Sequence, residues 1–158
     1  MTGSDDKAKQ YSLKLLSYRG RSEKELEERL RKKGVSARGI SSTMRSLKDT
    51  GLLNDLSLAE SLKREALTYR MLSQAGARNF MLKRGIPRSI VDSVLSNDDN
   101  IDIDNAVKFV DKKLRVLGRY PAEIAKRRLY NLLLRRGYSS GTILKVLKEK
   151  IVKEEDAK

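Results

Sequence analysis

Asp98-Asp99-Asn100-Ile101-Asp102-Ile103-Asp104 alternates oxygen-bearing side chains in the manner of a calcium loop. An EF-hand beginning at Asp98 would need glycine at its sixth position and glutamate at its twelfth, where Ile103 and Phe109 stand. The stretch suits an acidic linker that also caps the helix after it. Gly34 and Gly39 have the four-residue gap of a phosphate loop, but before Ser41 the required Lys is replaced by Ile40, and no strand pattern precedes them. With no Cys and no His in the chain, disulfides, Cys/His zinc sites, thiol nucleophiles, Ser-His-Asp triads and histidine acid–base pairs are all excluded. Catalysis would have to rest on carboxylates, Lys, Ser or Tyr, and no paired-carboxylate constellation recurs on one helix face. The sequence therefore reads as a binding protein rather than an enzyme, with no cofactor and no metal site.

The cations carry more information, and they fall into two groups. Arg31, Lys32 and Lys33, Lys83 and Arg84, and Arg135 and Arg136 each stand just before a glycine that ends a helix. In a last helical turn a cation complements the helix dipole and bonds free carbonyls, so a purely structural role competes evenly with partner binding there. The second group resists that explanation. If Leu129 marks the buried centre of the helix opened by Pro121, a rotation of 100° per residue places Arg127, Arg128, Asn131 and Arg135 on the opposite side. This stripe is about 12 Å long from Arg127 to Arg135 at 1.5 Å per residue. Exposed faces usually mix signs, and here only Glu123 offsets the cations, so the stripe points to an anionic partner. Aromatic stacking on bases has less support. Tyr18 and Tyr120 stand beside Arg19 and Arg119, as single-strand binding would require. Tyr138, although next to Arg135-Arg136, occupies a core column of the repeats described below.

Composition agrees with this division. Among 158 residues, 35 Lys and Arg against 21 Asp and Glu leave a net charge of +14, which favours a polyanion such as single-stranded or double-stranded DNA. Apolar residues make up 39%, with two Phe and no Trp, enough for a thin core assembled from amphipathic helices. Met1 to Lys7 is polar and acidic, unlike a secretion signal, and no window reaches the ~18 apolar residues of a membrane span, so a cytoplasmic, non-membrane, monomeric protein is expected.

The elements that must position these residues repeat. Leu30-Arg31-Lys32-Lys33-Gly34-Val35 returns as Met81-Leu82-Lys83-Arg84-Gly85-Ile86 and as Leu133-Leu134-Arg135-Arg136-Gly137-Tyr138, with the glycines 51 and then 52 residues apart. Eight positions before each glycine stand Leu26, Ala77 and Leu129. Six after stand Ile40, Val91 and Ile143, and ten after stand Met44, Leu95 and Leu147. The i, i+4 apolar pairs specify a helix with one buried stripe, each glycine closes it, and Ser36, Pro87 and Ser139 open the next. Ser22 with Glu25, and Ser57 with Glu60, have the spacing of capping boxes. Leading helices over roughly Lys7 to Ser17, Ser57 to Ser73 and Ile103 to Leu117 complete three modules of three helices. The expected domains are 1–55 with a flexible tail 1–7, 56–100, and 101–158 with a charged C-terminal tail. In the middle leading helix, Leu58, Leu62, Ala66 and Tyr69 mark one buried side, and Leu67 and Met71 the other.

With the repeats assembled, the sequence resembles the RecX family of bacterial recombinase regulators from about Tyr11 to Lys150. The resemblance rests on Arg21-Ser22-x-x-Glu25-Leu26-x-x-x-Leu30-x-x-Lys33-Gly34, on Gly51-Leu52-Leu53-Asn54-Asp55 followed by Ala59, and on the second and third glycine phrases. A departure from the family pattern lies at Gln74-Ala75-Gly76-Ala77-Arg78-Asn79, where the family usually has a Gly- and Arg-rich entry to the middle helix. The resemblance implies an all-α, elongated and curved array of three three-helix repeats lying in the groove of the RecA filament on single-stranded DNA. It also implies modulation of RecA ATPase, filament extension and strand exchange, in recombination, DNA repair and the SOS response. A basic helical repeat that binds nucleic acid without RecA is the alternative.

Overall fold

The helix stops and starts written in the sequence act where the spacing puts them. In the computed structural model, which describes residues 3–156 and their side chains as far as Ile151, Gly34, Gly85 and Gly137 all have positive φ, at 91°, 83° and 93°. Residues without a Cβ adopt this left-handed conformation without strain, and the preceding helix ends there. Ser22 caps the helix that Gly34 ends with the full reciprocal box to Glu25, and at the helices after Gly34 and Gly137 Ser36 accepts from the Gly39 N–H and Ser139 from the Thr142 N–H. Among the described residues the elements are helices: α1 Gly3–Tyr18, α2 Glu23–Lys32, α3 Ala37–Asp49, α4 Asp55–Arg64, α5 Gln74–Lys83, α6 Arg88–Val94, α7 Asp99–Leu117, α8 Ala122–Arg135 and α9 Ser140–Asp156.

Several boundaries differ from the expected ones. Helix α1 begins at Gly3, so residues 3–7 are helical rather than a separate tail. Helix α4 begins at Asp55 because Asn54 caps it, its Oδ1 accepting from the Ser57 N–H at 3.1 Å. Ser57 is therefore the third residue of the helix and not the opener of a box with Glu60. The acidic linker does cap α7, with the Asp98 side chain accepting from the Asn100 N–H. Residues 1 and 2, and the side chains of the charged tail after Ile151, lie outside what is described.

A larger difference is the leading helix of the middle module. It does not run straight to Ser73: Glu65–Tyr69 forms a π-helical turn, with the Arg70 N–H donating to the Glu65 carbonyl at 2.9 Å, and Met71 follows at φ 53°. One additional residue in a turn rotates everything beyond it around the helix axis. Leu62 and Ala66 are buried as expected, whereas Tyr69, the last residue of the turn, is 74% exposed instead of lying on their side.

The chain divides into two compact units, 1–62 with 81–94, and 63–80 with 95–158. In the first, α1 packs on α2 and α3 around Leu15, Leu26, Leu30, Ile40 and Leu47. In the second, α7, α8 and α9 enclose Phe109, Val110, Leu129, Leu133, Tyr138 and Ile143. The repeat columns form these interiors: Leu26, Ala77 and Leu129 are all fully buried, as are Leu30, Met81 and Leu133. Tyr138 is buried in its column, with its hydroxyl donating to the Met71 carbonyl at 2.7 Å. Burial raises that phenol's pKa far above its ordinary value.

Each unit contains a junction that joins elements of consecutive sequence modules. In the first unit the Glu23 N–H, at the start of α2, donates to Asp55 Oδ1 of α4 at 2.9 Å. In the second the Gln74 N–H, at the start of α5, donates to Asp102 Oδ1 of α7 at 2.8 Å. The stop glycine of the later module packs on the capping serine of the earlier one. A Cβ built on Gly85 would lie 2.7 Å from Ser22 Oγ, and one built on Gly137 would lie 2.7 Å from Ser73 Oγ. Gly76, inside the divergent entry Gln74 to Asn79, meets the same junction, since its Cβ would lie 2.3 Å from the Arg136 carbonyl oxygen.

Candidate nucleic-acid interface

Helix α8 positions the cationic stripe as its periodicity requires. Ala125, Leu129 and Leu133 are buried on one side, and Arg127, Arg128, Asn131 and Arg135 are exposed on the other. Among the described residues no carboxylate holds any of the three guanidiniums. Arg128 lies over the Tyr120 ring, 4.6 Å from its centroid, and Arg119 lies over the same ring at 5.4 Å. The Arg119 hydrogen bond and charge, reinforced by Arg128, lower the Tyr120 phenol below its ordinary pKa. Tyr120, considered from sequence as a stacking residue, is half-buried and already in contact with both cations, whereas Tyr18 is 72% exposed beside Arg19.

The cations of the last helical turns divide sharply. Arg84 is held inside its unit: its Nε donates to Glu25 Oε2 at 3.0 Å and its terminal nitrogen to the Gly20 carbonyl at 2.8 Å, leaving the side chain 17% exposed. Burial alone would raise the Glu25 pKa, but the Arg84 hydrogen bond and the Ser22 N–H hold it below the ordinary value. Arg136 donates to the Arg70 and Leu132 carbonyls and lies 4.3 Å above the Phe109 ring. These two guanidiniums occupy equivalent repeat positions and serve the junctions. Arg31, Lys32, Lys33 and Lys83 are exposed. Arg31 pairs with Glu27 at 2.9 Å, and Lys33 lies 5.0 Å from the Tyr11 ring centroid.

Sequence reasoning missed a second concentration of charge, centred on Arg21 just before α2. Arg21 has its Nε buried without a hydrogen-bond partner, and its pKa is lowered by burial first and then by the charges of Arg19, Arg29 and Arg84. Three guanidiniums thus bear on that of Arg21, and the Glu25 carboxylate opposes them. Arg19, Arg21 and Arg29 belong to no repeated phrase, so periodicity offered no signal for them. Arg84 stands at the opposite end of α2 from Arg31, Lys32 and Lys33, so these candidates form no single cluster. The acidic stretch from Asp98 holds no candidate ion site, and no group of carboxylates suited to a metal occurs among the described residues. No described helix is long and apolar enough to cross a membrane.

Two parts of the chain match described domains of one family. Residues 8–47 match the first three-helix domain of RecX, and residues 100–147 match the third. Together they span more than half of the sequence. The chain belongs to the RecX family. Relatives named regulatory protein RecX are similar along nearly the whole chain. The Amycolatopsis mediterranei protein is 30% identical over 92% of this chain and 83% of its own length. That of Chlorobaculum tepidum is 28% identical over 92% and 89%. The crystal structure of RecX from Lactobacillus salivarius covers 100% of both chains with a TM-score of 0.74 at 24% identity, so the fold is that of RecX. Membership makes this a protein of a regulatory family and agrees with an all-α array of three-helix repeats.

Proposed function

We propose that the protein regulates the RecA recombinase by binding RecA filaments on single-stranded DNA in the cytoplasm. In this reading its three-helix repeats lie along the filament groove. Occupancy of that groove hinders filament extension, ATP turnover and strand exchange without chemistry of its own. The observation that carries the contact surface is the α8 stripe, where Arg127, Arg128 and Arg135 are exposed with no carboxylate to neutralise them. Lys32, Lys83 and the Arg19, Arg21 and Arg29 group supply further contacts to anionic surface, whereas Arg84 and Arg136 act through the fold. Phosphate neutralisation with counterion release supports such binding without sequence preference.

The test replaces Arg127, Arg128 and Arg135 together by Glu. All three are exposed, so the buried Leu129 and Leu133 side is untouched and folding should survive. In a RecA ATPase assay on single-stranded DNA, the parent slows turnover, and the triple variant needs on the order of tenfold more protein for the same effect. Leu129→Asp is the control that fails by unfolding. A folded triple variant that inhibits as well as the parent would remove α8 from the contact surface. Equal affinity for DNA with and without RecA would favour the alternative, a nucleic-acid binder with no RecA partner.

A further inference from the structure

The repeats provide an internal reference for the groove between the last two helices of a module. In the first module the α2–α3 groove is lined by balanced charge, with Glu27 paired to Arg31 at 2.9 Å and Glu23 to Lys48 at 2.6 Å. Counted from the stop glycine, the positions of Glu23, Glu27, Arg31 and Ser41 hold Lys126, Tyr130, Leu134 and Leu144 in the third module. Both first-module ion pairs are therefore gone from the α8–α9 groove, a cleft of 460 Å³ with Tyr130, Leu144 and Leu147 on its apolar side. Lys126, Arg127 and Lys148 rim it against Glu123 alone. Leu144 is 60% exposed, and Leu134, one turn beyond Tyr130, is 50% exposed. Water-exposed leucines beside unneutralised cations are an unfavourable surface for a free helix pair, and they form an amphipathic recognition surface once an acidic chain covers them.

We propose that the α8–α9 groove is a docking site for a linear acidic segment of a partner protein that presents one aliphatic or aromatic side chain. The apolar anchor lies on Tyr130, Leu144 and Leu147, and flanking carboxylates meet Lys126, Arg127 and Lys148. Charge complementarity selects this occupant. A second copy carries the same net charge of +14 and is repelled. Single-stranded nucleic acid uses aromatic platforms on which bases stack, whereas this floor is largely aliphatic. The site goes beyond the filament-binding reading: it shares Arg127 with that surface, but its apolar floor of Tyr130, Leu144 and Leu147 is separate from it.

The test measures fluorescence anisotropy of a fluorescein-labelled peptide in which Asp and Glu alternate around a Leu-Phe pair, titrated with the full chain. A second peptide carries Ser-Ser in place of Leu-Phe. The Leu-Phe peptide is expected to bind about tenfold more tightly, the scale of one buried interface anchor. Leu144→Ser, which restores the residue of the first module at an exposed position, abolishes that preference, and Lys148→Glu weakens both peptides. Equal binding of the two peptides to the parent, or an undiminished preference in Leu144→Ser, overturns the proposal. Leu144→Ser should bind a single-stranded oligonucleotide as the parent does. A parallel loss of oligonucleotide binding assigns the groove to nucleic acid, and a self-association in sedimentation that Leu144→Ser removes assigns it to a second copy. Either result overturns the acidic-segment site while leaving the RecA reading to its own assay.

Discussion

A methyl group on Gly76 would meet the Arg136 carbonyl oxygen at 2.3 Å, and this contact decides what the residue can be. In a free helix Ala is favoured over Gly by about 1 kcal/mol. Here the clash is with backbone, which cannot rotate away as a side chain can, so overpacking wins. Gly76→Ala should lower stability by about 2–3 kcal/mol in urea unfolding. Gly141 in α9 is the matched control, because nothing lies within 4 Å of its would-be Cβ. Gly141→Ala should raise stability by about 0.5–1 kcal/mol. Opposite signs for the same substitution would separate junction packing from helix propensity, and equal signs would show that the junction yields. The same contact accounts for the guanidinium roles: Arg136 presents its carbonyl to Ser73 while its side chain bonds the Arg70 carbonyl, so it is tied at both ends.

At the scale of elements, the recurring device is a carboxylate that caps a helix from another module. Asp55 and Asp102 satisfy the first N–H groups of α2 and α5, a role otherwise filled by a local side chain. Asp55 is only 6% exposed. Burial raises its pKa to about 6, the Glu23 carboxylate adds to the rise, and the Glu23 N–H and Lys48 oppose it. Because the folded value lies above the unfolded one, the native state holds the proton more tightly. The associated stability is present in full below about pH 4 and is lost as pH rises through 6. Asp55→Asn keeps an oxygen acceptor for the Glu23 N–H and removes the buried charge. It should unfold at higher urea than the parent at pH 7.5, by about 1–2 kcal/mol, and match it near pH 4. A variant weaker than the parent at pH 7.5 would mean that the anion itself is needed by the junction. The π turn Glu65–Tyr69 is a second device at this scale, since it ends a helix early and turns the Met71 carbonyl to the Tyr138 hydroxyl.

For the whole molecule, the net charge of +14 governs association more than folding. Affinity for single-stranded DNA should fall steeply as salt rises, since each neutralised phosphate contributes about −0.7 to the log–log slope. If Arg127, Arg128 and Arg135 each meet a phosphate, replacing all three should make the slope shallower by about 2. Titrations across a salt series would show this directly. An unchanged slope with weaker binding would mean that the stripe acts on a protein surface and not on DNA.

Local chemistry made much of this protein legible in its sequence. A glycine at positive φ, an i, i+4 apolar pair and a Ser-x-x-Glu box each act within a few residues, so the stop glycines, the buried columns and the exposed face of α8 stand where the spacing places them. Only the tertiary structure decided what happens between modules. Arg84 and Lys83 are neighbours before the same glycine, yet one is enclosed by Glu25 and the Gly20 carbonyl and the other is exposed, because those partners lie about sixty residues away. The capping of α2 by Asp55, the need for glycine at position 76, the crowding of Arg21 by Arg19, Arg29 and Arg84, and the π turn that exposes Tyr69 have the same origin. Each depends on which backbone groups and charges the folded chain brings together from separate modules or displaces around a helix axis, and neither is encoded in the period of any one helix.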